Sequence, residues 1–173
     1  MGLGHAAADQ HLIASGIAHT ILRPGGFMQN LLAMAPMIKQ GVIVAPTAEG
    51  AVPFIDARDI ADCAVAVLTA SSDVRGIVDI SGPEAFTFSE IADKISNLVG
   101  YSIKHVSPVG EEARQSFMAT GLDGWMLDAM LDDTANVARG VGATIHKGVK
   151  HITGNEPRTL DTFLEEHIHY FQK

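Results

Sequence analysis

The sequence predicts an α/β fold with a largely parallel sheet. Two observations carry that reading. Short β-branched runs alternate with helix-length amphipathic segments, and the boundaries between them fall at glycine, proline and capping residues. A third observation is bulk. Of 173 residues, 47% are apolar and 18% charged, which suits a sizeable core and makes residues 1–173 a single domain or one part of a larger one.

The elements follow in order. Residues 5–15, HAAADQHLIAS, read as a helix with Ala8, Leu12, Ile13 and Ala14 as its apolar stripe and Gly16 as its stop. Residues 17–23 read as a strand. FMQNLLAMAPMIK, residues 27–39, is a strongly apolar helix in which Pro36 forces a break or kink. GVIVAP, 41–46, is a strand, and AVPFID, 51–56, is a short extended piece that Pro53 confines to an edge or an irregular path. Asp56 reads as the N-cap of ARDIADCAVAVLTA, whose apolar positions 60, 61, 64, 65 and 68 share one face.

Residues 76–81 form the next strand, ended by Gly82 and Pro83. Thr87 and Glu90 have capping-box spacing; the helix they open has Ile91, Ile95, Leu98 and Val99 as its face and Gly100 as its stop. SIKHVSP is a further strand. Residues 111–140 read as helical, with Asp132 and Asp133 in a solvated turn. The chain is loop-like from Gly148 to Pro157. It closes with an amphipathic helix that turns Leu160, Phe163, Leu164, Ile168 and Phe171 inward.

Charge and composition exclude several classes. A net charge of −8, with the acids spread along the chain, argues against nucleic acid and anionic membranes as partners. No apolar run approaches the length of a membrane span. The start, MGLGHAAADQH, lacks the charged-then-apolar pattern of a signal peptide. Cys63 is the single cysteine and lies in an apolar helical stretch, so it reads as a small buried residue. Together these point to a cytoplasmic protein.

The chemistry-bearing residues are sparse. His167 and His169 are two apart and do not share a helix face, and His146 and His151 lack ligands at metal-site spacing, so no metal is expected. Asp56 and Asp59 read as helix-capping residues. Tyr101 and Tyr170 have no lysine four residues on, and no serine sits in a G-x-S-x-G elbow, so no catalytic residue is expected. No glycine-rich phosphate loop follows a strand: GLGH at 2–5, RPGG at 23–26 and RGVGAT at 139–144 all fail the pattern.

Three ordered blocks, HAAADQHLIASGIAHTILRPGGFMQN, FIDARDIADCAVAVL and DISGPEAFTFSEIADKIS, resemble the NmrA-like branch of the atypical short-chain dehydrogenases/reductases, the branch of NAD(P)H:quinone oxidoreductase and azoreductase-like proteins. The resemblance covers residues 5–100 and implies the C-terminal half of that fold. This is a partial NAD(P)-binding Rossmann-like fold, with residues 1–82 its residual Rossmann-like part and 83–173 a helical substrate-side region. It implies that Pro24, Gly25, Gly26, Phe27 and Asn30 line the nicotinamide end of NAD(P), with His5 nearby and Arg23 anchoring the loop. The two glycines would let backbone approach a flat ligand, and the amides after Pro24 would be free to donate. It places a substrate pocket for a flat apolar ligand such as a quinone at Met118, Trp125 and Met126, with Met130 beside them.

The implied function is the substrate-binding half of an NAD(P)-dependent reductase. Without the glycine-rich loop, the chain alone is expected to bind dinucleotide weakly or not at all and to be inactive. The competing expectation is a non-enzymatic oligomeric module that binds a small ligand or serves redox regulation. A half-fold would leave the helix at 5–15 and the segment 27–39 uncovered, which implies a homo-oligomer, a dimer first of all.

Overall fold

The computed structural model describes residues 2–69 and 74–173, with side chains from residue 5 onward. Its elements are α1 (Gly2–Ala14), β1 (Thr20–Pro24), α2 (Asn30–Ala33), α3 (Ala35–Lys39), β2 (Val42–Val44), α4 (Ala57–Leu68), β3 (Gly76–Ile80), α5 (Phe88–Val99), β4 (Lys104–Val106), α6 (Glu111–Met118), α7 (Gly124–Ala138), α8 (Gly148–Thr153) and α9 (Leu160–Glu166), followed by a 3₁₀ turn at Ile168–Tyr170. The fold is α/β, and the strand pairs are parallel. β1 pairs with β3 from Thr20 opposite Gly76 to Pro24 opposite Ile80, and β2 pairs with β4 from Val42 opposite Lys104 to Val44 opposite Val106. Parallel partners need a long crossover, and helices supply it in both cases.

Two apolar cores hold the elements. The larger joins Met28, Leu31 and Ile38 to Ile43, Ile91, Ile95, Phe163, Leu164 and Phe171. The smaller lies under β1 and β3, where Ile55, Cys63, Ile80, Val149 and Ile152 are buried. Each core draws on residues from both sides of Gly82.

Local signals work where they are strong. Thr87 Oγ1 accepts from the Glu90 amide while the Glu90 carboxylate accepts from the Thr87 amide, so the capping box forms. Gly100 ends α5 at φ 77°, a left-handed conformation that glycine adopts without strain. On the buried face of α5, Ile91 and Ile95 are fully covered, but Leu98 is 38% exposed.

Several expectations are corrected. Segment 27–39 is not uncovered: Met28, Leu31, Ala35 and Ile38 enter the larger core. It forms two short helices meeting at Met34, with Pro36 in the first turn of the second, where a missing N–H costs nothing. Residues 51–56 take the irregular path that Pro53 implies and form no regular strand. Val52 bridges Phe86 antiparallel and Ile55 bridges Phe27 parallel, so the segment links elements without joining a sheet. Asp132 and Asp133 lie inside α7 and not in a turn.

The stretch after Gly148 is helical, as α8, because Val149 and Ile152 fall one turn apart and both bury against β3 and α4. In the closing segment Ile168 is only half-buried, since α9 ends at Glu166 and Ile168 opens a 3₁₀ turn. The apolar stripe of α1, by contrast, is left uncovered as a half-fold implies: Ala8, Ile13 and Ala14 are exposed and Leu12 is half-buried.

Candidate functional site

An open groove of about 680 Å³ runs between α1 and β1. His5, Ala6 and Asp9 come from α1, Ile21 to Pro24 from β1, and Phe27 from the turn beyond it. Three of the residues singled out in the sequence, His5, Pro24 and Phe27, therefore meet in one place although 22 positions separate the first from the last. Phe27 is 38% exposed, an aromatic face left open. Arg23 does not anchor the loop. Its guanidinium donates to Asp9 Oδ2 at 2.7 and 3.2 Å, so it ties α1 to β1 across the groove. An exposed pair of this kind contributes at most about 1 kcal/mol, so it orients α1 more than it stabilises the fold.

The turn after β1 is held from inside. The Gly25 amide donates to the Ile80 carbonyl at 3.0 Å, the Ile55 amide to Gly26 at 2.8 Å, and the Met28 amide to Ile55 at 2.9 Å. A Cβ on Gly25 would stand 2.9 Å from the Pro53 carbonyl oxygen, and one on Gly26 would stand 3.0 Å from the Val52 side chain. Gly82 faces the same segment from the other side, where a Cβ would overlap the Phe54 carbonyl. The glycines of Pro-Gly-Gly thus admit residues 52–54 rather than a ligand. The Gly25 and Met28 amides are already committed, which corrects the expectation that they are free. Asn30 opens α2 and is exposed outside the groove wall.

Gln29, which sequence reasoning missed, clasps this turn to α4. Its Nε2 donates to Asp56 Oδ1 at 3.0 Å, and its Oε1 accepts the Ala57 amide at 3.0 Å. Asp56 is fully buried and caps α4 by accepting the Arg58 amide at 2.8 Å. The Arg58 guanidinium reaches Asp56 Oδ2 at 2.6 Å and Glu166 at 2.6 Å. Burial alone would push the Asp56 carboxyl up, but the bonds from the Arg58 side chain and backbone, and then from Gln29, outweigh it and hold it below its ordinary value of 3.8. The bond to Asp56, and then that to Glu166, hold the Arg58 guanidinium charged more firmly than usual.

Asp59 is corrected from cap to lock. It is 2% exposed, accepts the Arg158 amide at 2.8 Å and pairs with the Arg158 guanidinium, which also reaches Asp62 at 2.9 Å. Burial raises its pKa despite these bonds. A second recess of about 270 Å³ opens beside this pair, between α4 and α8. Cys63 is fully buried, and burial, followed by the charges of Asp59 and Asp62, pushes its thiol up to about 11, so it stays a thiol.

The expected substrate residues lie elsewhere. Met118 at the end of α6 is 53% exposed, and Trp125 and Met126 at the start of α7 are 72% and 45% exposed; Met130 is half-buried. None of them lines either recess. Among the described residues, no three His, Cys, Asp or Glu side chains are arranged to hold a metal ion, and no helix is long and apolar enough to cross a membrane.

No family model matches the chain. Curated relatives do match it. The NAD(P)H azoreductase of Xenophilus azovorans is 34% identical over 164 residues, which cover 94% of this chain and 57% of that protein. The oxidoreductase YesF of Bacillus subtilis is 32% identical over 155 residues, 88% of this chain and 54% of that one. Among solved structures, the NADPH-dependent quinone oxidoreductase QOR2 of Escherichia coli, complexed with NADPH, superposes with a TM-score of 0.85 at 22% identity over 95% of this chain and 58% of that one. The likeness to QOR2 is one of fold. The chain spans a little over half the length of the curated relatives it matches. The parallel strand pairs, the three ordered sequence blocks and these relatives agree: the chain is similar to the NmrA-like atypical short-chain dehydrogenases/reductases over the C-terminal half of their fold.

Proposed function

We propose that this chain forms the substrate side of an NAD(P)H-dependent reductase acting on a flat apolar acceptor of the quinone or azo class. The groove between α1 and β1 would take the nicotinamide end of the cofactor. The observation that carries this reading is the convergence of His5, Pro24 and Phe27, from a helix and the end of a strand, on one mostly apolar recess. An open aromatic face and a proline edge suit a flat ring, and the histidine can donate a hydrogen bond to a ribose hydroxyl or a carbonyl. Names of the relatives support the cofactor class, since azoreductase and quinone oxidoreductase relatives are both described with nicotinamide nucleotides.

The residues present fit only part of that cofactor. Nothing in the sequence offers the glycine turn that receives a pyrophosphate at a helix N-terminus. When bound, the reduced nicotinamide supplies a hydride. This chain's residues would hold the ring and exclude water from it, and Met118, Trp125 and Met126 would supply an adaptable apolar surface to the acceptor.

The test is a fluorescence titration of this chain with reduced nicotinamide mononucleotide, NADPH and NADH. Weak binding is expected, with the mononucleotide and the dinucleotides agreeing within roughly threefold, because only the nicotinamide end is recognised. Dinucleotide binding tighter by about a hundredfold would show a pyrophosphate site and overturn the assignment of the groove. Binding of none of the three at millimolar concentration would overturn the reading.

A second reading keeps the apolar surface and drops the hydride: an oligomeric module that binds a small apolar ligand or serves redox regulation. What favours it is the exposure of Trp125 and Met118, large apolar groups that a soluble surface seldom leaves open together. Ligand binding without any nicotinamide binding would select it.

A further inference from the structure

We infer that Gln29 is a positioning residue, and that its two-point clasp on the N-terminus of α4 sets the shape of the turn that presents Pro24 and Phe27 to the groove. The inference rests on the reading of the groove as a nicotinamide site, and it adds a residue that lines no part of it.

Gln29 follows Phe27 by two residues, and its side chain is the only part of the turn that reaches α4 by a side-chain hydrogen bond among those described. The clasp is double. One arm donates to Asp56 Oδ1 and the other accepts the Ala57 amide, each at 3.0 Å. Two bonds from one planar amide fix both its position and its orientation, which a single bond leaves free to swivel. Its counterpart is itself immobile. Asp56 is fully buried, and its two oxygens are further occupied by the Arg58 amide at 2.8 Å and the Arg58 guanidinium at 2.6 Å. Arg58 is in turn held by Glu166 of α9 at 2.6 Å. The turn is therefore referenced to a rigid node shared by α4 and α9.

Backbone bonds alone set its other end: Gly26 and Met28 bond Ile55, the residue before Asp56. Removing the Gln29 amide leaves the turn held by backbone bonds alone, from Gly25 to Ile80 and from Gly26 and Met28 to Ile55. The Phe27 ring, between Gly26 and Met28, would then sample other orientations as those bonds open more often.

The experiment pairs Gln29→Met, which keeps the volume and loses both bonds, with Gln29→Glu, which keeps an acceptor for Ala57 and sets a carboxylate against Asp56. The control is Tyr101→Phe, which removes a hydroxyl that bonds the Phe171 carbonyl at 2.7 Å and has no tie to the turn. Two readouts are taken. Affinity for reduced nicotinamide mononucleotide is expected to fall about tenfold in both Gln29 variants and to stay at the wild-type value in Tyr101→Phe, even where that variant loses as much thermal stability. Amide exchange at Gly25 and Met28 is expected to quicken in Gln29→Met and not in Tyr101→Phe.

Affinity that tracks thermal stability across all three variants would reduce Gln29 to a general structural role and overturn the inference. Should the wild-type chain bind no nicotinamide, the groove reading fails, while the exchange readout still decides the clasp: unchanged exchange at Gly25 and Met28 would overturn it.

Discussion

Gly82 has no room for a side chain. A methyl there would overlap the Phe54 carbonyl oxygen, and backbone cannot move aside as the end of a long side chain can. Gly82→Ala is therefore expected to lower stability by ~3 kcal/mol, the range of an overpacked core site. Urea unfolding of the variant checks this, and a loss below about 1 kcal/mol would show that the crossing relaxes freely.

The residue scale also shows where a sequence stops being legible. Pro-Gly-Gly at 24–26 and Gly-Pro at 82–83 are visible as punctuation, but their partner is the segment 52–54, dozens of positions away. The reason for each glycine is a contact that no local pattern encodes. The same holds for Asp59. Its spacing from Asp56 suggests a helix start, yet its partner Arg158 is 99 residues on. Gln29 carried no signal either, since a glutamine in an apolar helix start resembles any surface residue until its two partners are seen.

At the scale of the element, the caps of α4 and α5 were readable because a cap is a local event. Asp56 accepts from Arg58 two residues on, and Thr87 exchanges bonds with Glu90 three residues on. α8 was not readable. Six residues give too short a run to show a period, and Gly148 fits there because it packs against the Asp79 carbonyl, a tertiary reason.

The cap of α4 also has a pH signature. Asp56 has its folded pKa below the ordinary 3.8. The folded state thus binds fewer protons than the unfolded one near that value, so this contribution is present above 3.8 and is lost as pH falls through the lowered value. Asp56→Asn should be less stable than wild type at neutral pH but lose less on acidification. Urea unfolding at about pH 7 and about pH 3 measures the difference, and equal losses in both proteins would contradict it. Asp59 works in the opposite sense. Its raised pKa gives a contribution present below 3.8 that is lost as pH rises, so it partly masks the slope from Asp56 in the wild-type curve but not in the difference between the two proteins.

At the scale of the whole molecule, the two cores are closed while one flank stays open. Ile17 is 65% exposed, Val65 59%, Leu68 83% and Ile77 43%. β1 is paired on one side only among the described residues, and α1 is largely bare along its length. An open strand edge beside apolar side chains is a surface that proteins ordinarily cover. Self-association is accordingly expected, with light scattering giving twice the protomer mass of 18.3 kDa at micromolar concentration. A stable monomer under those conditions would reject it.

The threading of residues 52–54 between Gly25 and Gly26 on one side and Gly82 on the other reaches beyond stability. Three stretches scattered along the gene must match one another in shape at a single crossing point. A chimera with a relative whose join falls between any two of them inherits a mismatched crossing. Family shuffling should therefore exchange residues 24–83 as one block, and the natural breakpoints lie outside it.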